Sequence, residues 1–427
     1  PGDAKAVAGD GIAGITWTPQ PGIEYLAFGA NNPNLTTQNW TDVGIAGFAI
    51  LNGGTKTVPP ALLCNSFAGS APNGLSYYFT VNAHTGTAPG GPGSPTVKAT
   101  PRSAGGAGTW SVGTATGVNI NGAGYAVITT CLPAALPTGI YVAVGPTGAI
   151  FSSTNGHTWT SRTPAGYTTD LYGVAAYTAS INVPTAPNLL FVAVGAGGAV
   201  IRSLDGVTWS STVAASGSAP ILRSIGVASG AFVAVGDGGR IQTSPDGVTW
   251  TTRTSNTTVN LHSVQCVGTA CVAVGDAGVA DLSFDSGVTW TVKTLGAGAL
   301  RAVAYGNYDN NETGNNVIGV NGNTAINTWV IVGDNGTVFE SNNVGTTVSA
   351  ITFNAVPVSG AANFVAISYT TQFVAVDSAG NAFTSQTATS GSWSAAIATG
   401  ITDPVSVATN GHGYVLVGTS GDNTSSF

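Results

Sequence analysis

Few side chains in this 427-residue chain could do chemistry: seven arginines, three glutamates and four histidines. Glycoside hydrolysis needs two carboxyls kept in different protonation states. Glu24, Glu312 and Glu340 lie far apart, and no convincing pair of carboxylates falls on one apolar strand. Most of the arginines sit in outer strands of the repeat described below. No Gly-x-Ser-x-Gly elbow, His-Glu-x-x-His helix or phosphate loop occurs. No Cys-x-x-Cys or paired histidine spacing occurs either, so neither a metal nor a cofactor is expected. One constellation stands apart. Glu24, Tyr172, Arg223, His262 and Arg301 each occupy the second position of an apolar segment, and Val365 and Val405 occupy it in two more. Brought together, Arg and Tyr suit a carboxylate, a glycan or an acidic peptide. The plain alternative is that these side chains cap a wet channel.

The elements that would position them repeat about every 40 residues. One part of the repeat is a short β-branched run: Tyr141-Val-Ala-Val-Gly145, Phe191-Val-Ala-Val-Gly195, Phe232-Val-Ala-Val-Gly236 and Cys271-Val-Ala-Val-Gly275. It returns as Trp329-Val-Ile-Val-Gly333, Phe373-Val-Ala-Val-Asp377 and Tyr414-Val-Leu-Val-Gly418. Such runs, closed by Asp-Gly-Gly or Asp-Asn-Gly, read as strands ending in tight turns. The turn aspartates Asp237, Asp276 and Asp334 need only turn chemistry to explain them. The other part is Ser203-Leu-Asp-Gly-Val-Thr-Trp209, Ser244-Pro-Asp-Gly-Val-Thr-Trp250 and Ser283-Phe-Asp-Ser-Gly-Val-Thr-Trp290, with Ser153-Thr-Asn-Gly-His-Thr-Trp159 as a variant. A unit of four antiparallel strands repeated radially predicts an all-β propeller.

Composition narrows the function. Charged residues are 7% and the net charge is −7, so the chain cannot neutralise a phosphate backbone and nucleic-acid binding is excluded. No apolar run is long enough for a transmembrane helix. Gly (61 residues), with abundant Thr, Ser and Asn and no Met, fits a processed, secreted or cell-surface protein; the periplasm fits as well. Four cysteines suit an oxidising compartment. Two disulfides are expected, Cys64–Cys131 and Cys266–Cys271, with free buried thiols as the alternative.

The Ser-x-Asp-x-Gly-x-Thr-Trp segment resembles the Asp-box, or BNR repeat, of sialidase-like propellers. The Phe-Val-Ala-Val-Gly lead-in is similar to the propellers of photosystem II assembly factors. The resemblance covers about residues 110–427 and, in part, residues 1–17. It implies a structural role for Asp205, Asp246 and Asp285, which would bind amides of their own turns. It also implies that Trp159, Trp209, Trp250 and Trp290 pack between blades. Sialidase-type catalysis would further require three arginines on a carboxylate, a Tyr nucleophile with a Glu partner and an Asp acid, a set this sequence does not offer.

The chain is expected to form a single propeller over residues 1–427. Blade-closing positions fall at Trp17, Trp110, Trp159, Trp209, Trp250, Trp290, Thr347 and Trp393, a register of eight blades. Seven follows if the block 18–110 is an insertion. Residues 1–17 are expected to complete the last blade, and 65–105 to be an insertion in the first. The function expected is that of a non-catalytic extracellular interaction module, or a structural subunit of a surface assembly of adhesin or appendage type. Its partner would be a protein or another copy of itself, with a glycan as a further ligand. The alternatives are an assembly factor for a membrane complex and a sialidase-like hydrolase or glycan-binding protein.

Overall fold

The computed structural model describes residues 110–127, 139–177, 190–213, 219–308, 326–341, 351–369, 372–409 and 413–426, with the backbone of seven strands between residues 5 and 99. The chain divides into two compact units. The larger comprises Gly105–Ile128, Gly139–Tyr308 and Ile326–Phe427.

The larger unit is a propeller of seven four-stranded antiparallel sheets. Seven, the smaller of the two numbers the sequence allowed, is the number of blades. The first strands are Gly122–Val127, Leu171–Tyr177, Leu222–Ala228, Leu261–Val267, Leu300–Tyr308, Phe364–Tyr369 and Pro404–Thr409, which open blades one to seven. Each packs beside the first strand of the next blade, and Pro404–Thr409 packs beside Gly122–Val127, so the ring closes. Blade three shows the pattern: Leu222–Ala228, Ala231–Gly236, Ile241–Ser244 and Thr251–Arg253 pair in order.

The second strand of each blade explains the β-branched runs. Side chains alternate between the two faces of a strand, and here both faces are buried. Phe232 and Ala234 enter the core shared with blade two, while Val233 and Val235 enter the core shared with blade four. All four are buried at 1% exposure or less. Seven such cores fill the seven interfaces between blades. Burying one Phe or Val of this kind contributes about 1.5–3 kcal/mol.

The tryptophans complete these cores. Trp209 joins the interface of blades one and two, Trp250 that of two and three, and Trp290 that of three and four. Trp159 packs between seven and one, Trp393 between five and six, and Trp110 between six and seven. Between blades four and five the place is taken by Ile351 and Phe353. Thr347, the closing residue expected there, and Trp17 lie outside the described residues.

Ring closure differs from the expectation. The third strand of blade seven is Asn423–Ser426, and its fourth is Ser111–Val112, not residues 1–17. The stitch continues past the strand: Gly113 N–H donates to Asn423 O (2.9 Å), Thr114 N–H to His157 O (2.9 Å) and Thr116 N–H to Gly421 O (2.8 Å). His157 belongs to blade one, and its Nε2 meets the Ser425 hydroxyl of blade seven at 2.6 Å. The N-terminal side of the propeller thus does close the last blade, through a segment about a hundred residues later than predicted.

The smaller unit accounts for residues 1–17 differently. Lys5–Ala8 pairs with Ile12–Thr16, which pairs with Ser66–Ser70. Glu24–Ala30 pairs on one side with Gly47–Leu51 and on the other with Tyr77–His84, which pairs with Val97–Ala99. Because Glu24–Ala30 is an interior strand, this sheet lacks the sequential order of a blade. The segment 65–105 is therefore not an insertion into a blade: it supplies three strands to the smaller unit, and the expected single domain is two compact units.

Cys266 and Cys271 face each other across the first hairpin of blade four and are joined in a disulfide. Cys64–Cys131 lies outside the described residues.

One carboxylate is buried in the core without a partner. Asp281, on the third strand of blade four, is fully buried, and neither carboxylate oxygen has a hydrogen-bond partner. Its register position holds Phe151, Ile201, Phe339 and Phe383 in four other blades and the uncharged polar Gln242 and Thr424 in the remaining two. Burial pushes its carboxyl up to about 7. The folded state therefore keeps a proton that the unfolded chain releases near about pH 4. Stability should fall as pH rises from about 4 to 7, by an amount of order 4 kcal/mol. Asp281→Asn removes this titration. Thermal melts at about pH 4 and about pH 8, on the two sides of this window, are expected to differ less in the variant than in the wild type. Equal pH slopes in the two proteins would show that Asp281 is ionised in the folded state.

Candidate functional site

The end of the ring where the first strands begin is shaped by a repeated irregularity. In blades two to seven, pairing between the first and second strands skips one residue. The skipped residues are Tyr172, Arg223, His262, Arg301, Val365 and Val405. A bulge re-aims its side chain out of the ladder. Four of the five residues singled out from sequence thus occupy equivalent places on four consecutive blades. Glu24 does not join them. It lies on the strand Glu24–Ala30 of the smaller unit, and the first strand of blade one is Gly122–Val127. The equivalent residue of blade one is Asn121, whose side-chain amide donates to Leu171 O of blade two at 2.8 Å.

The same end carries the turns between second and third strands. In blade three the turn is Asp237-Gly238-Gly239, with φ of 64° and 72° at the two glycines. Asp237 N–H donates to Ile221 O (2.9 Å), the residue before the first strand of its own blade. Asp276 is tied to Asn260 O (3.0 Å) and Asp334 to Ala299 O (3.0 Å) in the same way. These backbone ties hold each aspartate next to the bulged residue of its blade.

The result is a row of side chains paired with aspartates. Arg223 Nη2 donates to Asp237 Oδ2 at 3.2 Å, and its Nε donates to Oδ1 of the same carboxylate. His262 Nε2 meets Asp276 Oδ1 at 2.8 Å. Arg301 Nε and Nη2 grip Asp334 Oδ1 and Oδ2 at 2.8 and 2.9 Å. Arg301 Nη1 lies 3.4 Å from His262 Nε2, so blades four and five are linked. The side chains of these pairs stay between 16% and 38% exposed, so a ligand can reach them.

The pairs set the charge states. The Arg301 guanidinium holds the Asp334 carboxyl below the ordinary carboxylate range, against the opposing effect of partial burial. Asp276 is shifted the same way: partial burial would raise it, but the bond to His262 and the charges of His262 and Arg301 outweigh this. Turn chemistry alone, the sequence-based account of Asp237, Asp276 and Asp334, is therefore incomplete. A signal was present, since Arg223 to Asp237 and His262 to Asp276 share a spacing of 14. In blade five, the segment 309–325 stretches the interval to 33 and hides the pattern.

Neighbouring turns are latched to each other at this end. Asp170 Oδ1 accepts from Thr147 N–H (2.7 Å), Asn260 Oδ1 from Gly238 N–H (3.1 Å) and Asn363 Oδ1 from Asn335 N–H (2.8 Å). Each latch joins the residue before one first strand to the turn of the preceding blade. The rim is thereby preorganised.

The Asp-box residues lie at the opposite end and do a different job. Asp205 Oδ1 accepts from Val207 N–H (2.8 Å) and Thr208 N–H (2.7 Å), and Ser203 Oγ accepts from Gly206 N–H at 2.8 Å. Asp246 repeats the pattern on Val248 and Thr249, and Asp285 on Val288 and Thr289. The glycine is required there: Gly247 has φ 70°, and a Cβ would sit 2.7 Å from Val192 Cγ2 of the preceding blade. These carboxylates are occupied by their own turns.

Four arginines away from the row serve strand contacts instead. Arg162 Nε donates to Ser152 Oγ (2.9 Å), Arg253 Nε to Thr243 Oγ1 (2.9 Å) and Arg202 Nη1 to Asp246 O (3.4 Å), while Arg240 faces the Gln242 amide. Arg102, Glu312 and the long segment 309–325 lie outside the described residues. Glu340 is buried and accepts from Asn354 Nδ2 at 3.2 Å. Among the described residues no helix is long and apolar enough to cross a membrane.

No family model matches the chain, and no curated protein matches it. Solved structures do. The fold is similar to that of YCF48 from Cyanidioschyzon merolae, with a TM-score of 0.52 and 14% identity over 74% of this chain and 98% of that one. YCF48 bound to D1 peptide gives a TM-score of 0.52 at 12% identity, covering 74% of this chain and 96% of the other. The WD40 β-propeller domain of Doa1 gives 0.52 at 9%, covering 74% and 94%. At such identities the likeness is one of fold.

The Arg301–Asp334 pair can be tested directly. With Arg301→Gln, the Asp334 carboxyl should titrate nearer the ordinary value of about 3.9, read from its carboxyl carbon by NMR. In the wild type the pair stabilises the fold above that pH, and its contribution is lost as pH falls through the depressed value. Being partly exposed, it contributes no more than about 1 kcal/mol. An Asp334 midpoint unmoved by the substitution would contradict the pairing.

Proposed function

We propose that the chain is a non-catalytic binding module whose contact surface is the rim carrying Tyr172, Arg223, His262 and Arg301. The observation that carries this reading is the row of Arg–Asp and His–Asp pairs on three consecutive blades. The row is polar, reachable and fixed from behind by turns and latches, as a recognition surface requires. A hydrolase would need something else at this rim: a reachable carboxyl kept protonated near neutral pH. Asp276 and Asp334 are shifted the opposite way. The fold likeness agrees, since YCF48 is found bound to a peptide and the Doa1 domain is a WD40 propeller. The Cys266–Cys271 disulfide favours a site of action outside the reducing cytosol, at the cell surface or in the medium. Self-association into a surface assembly fits the low charge, because few charges would need desolvation at the contact. Assembly of a membrane complex is the second reading, favoured by the likeness to YCF48 bound to D1 peptide.

Neutralising a whole pair tests the site without leaving an orphan charge. The variants are Arg223→Gln with Asp237→Asn, and Arg301→Gln with Asp334→Asn. Each is expected to weaken binding to peptide or glycan arrays by about tenfold or more. Melting temperature should change little, because the pairs are partly exposed. Array binding that survives both double substitutions would move the contact away from this rim. Turnover of fluorogenic glycosides by the wild type would contradict the non-catalytic reading.

A further inference from the structure

We infer that the rim selects an uncharged, hydroxyl-rich ligand, a neutral glycan, rather than an anionic partner; this rests on the rim being the contact surface. Arginines on a propeller face suggest an anion site, but these arginines are already spent. Arg223 and Arg301 each give Nε and Nη2 to an aspartate of their own blade. His262 gives one ring nitrogen to Asp276. Three carboxylates stand against two guanidiniums and one imidazole, so the row carries no excess positive charge. An incoming carboxylate or phosphate would have to displace Asp237 or Asp334 from a two-bond grip, or lie beside three carboxylates. Both are unfavourable.

The polar capacity left over has a definite character. Arg223 Nη1 and His262 Nδ1 have no hydrogen-bond partner among the described residues. The paired carboxylate oxygens each keep a spare lone pair. Donors and acceptors therefore alternate along three blades at fixed positions. Neighbouring hydroxyls of a sugar can accept from a guanidinium and donate to its carboxylate without breaking the pair. Tyr172 sits at the same bulged position one blade earlier. It is half-buried, and its hydroxyl makes no hydrogen bond among the described residues. It adds an aromatic ring with a polar tip, an apolar body suited to a sugar face. Asn121 closes that side, held by its bond to Leu171 O.

The test uses the full chain in titration calorimetry with three probes: neutral oligosaccharides of glucose, mannose and N-acetylglucosamine, a glutamate-rich peptide, and its glutamine counterpart. A neutral oligosaccharide is expected to bind with an affinity that does not change between low and high salt, because no charge is neutralised. Tyr172→Ala and Asp276→Asn should each weaken it by about tenfold or more. Val248→Ser, on an exposed turn at the opposite end, should leave it unchanged. Melting curves of each variant verify that the fold is intact. Salt-sensitive binding of the glutamate peptide, lost in Arg223→Gln, would overturn the glycan assignment while keeping the rim as the contact surface. Binding of no probe, or binding indifferent to every rim variant, would overturn both.

Discussion

Everything in the larger unit depends on burial between blades. A single four-stranded sheet of this chain has apolar side chains on both faces and cannot exist alone in water. Phe232 and Val233 are neighbours in sequence, yet each serves a different interface. Every blade therefore needs two neighbours, and the requirement is met only when the seventh meets the first. That is why closure matters more than any single core. Ser111–Val112 and the bonds from Gly113 to Thr116 are few, but they join blade seven to blade one through Asn423, Gly421 and His157.

The same constraint sorts the conspicuous residues into two ends. At one end, Asp-boxes finish blades two, three and four, and Asn155 its variant in blade one, by satisfying the amides of a tight turn, freeing the tryptophan to enter the interface. Their carboxylates are consumed locally. At the other end, a bulge in the first strand of blades two to seven turns one side chain out of the ladder. What that side chain finds is decided by the turn of its own blade. Where the turn begins with Asp, as in blades three, four and five, a paired charge results; where it begins with Ala196, as in blade two, Tyr172 is left without one. Recognition is thus written on positions that the fold itself leaves open.

Much of this was legible in the sequence. The alternation within Phe-Val-Ala-Val-Gly, the Asp-Gly turns and the spaced tryptophans specify blades and their interfaces. They also place Tyr172, Arg223, His262 and Arg301 at one repeat position. Three things were not legible. The third strand of blade seven, Asn423–Ser426, is polar in composition though buried in the structure, so the last blade looked two strands short. Residues 1–17 look like a turn and strand of the repeat, but local pattern cannot say which sheet a strand joins, and they pair with Ser66–Ser70. Finally, Ile23-Glu24-Tyr25 has the pattern of a blade's first strand. Pairing of Tyr77–His84 on its other side makes it the interior of a different sheet.

Hydrogen exchange read by mass spectrometry tests the closing of the ring most directly. If Ser111–Thr116 completes the structure on which the other cores rest, its amides should exchange through the same global opening as the second strands, such as Ala231–Gly236. Protection in the two segments would then fall together as denaturant is added. Rapid exchange at Thr114 and Thr116 while Ala231–Gly236 stays protected would contradict the account, because the blades would then hold together without the stitch between seventh and first.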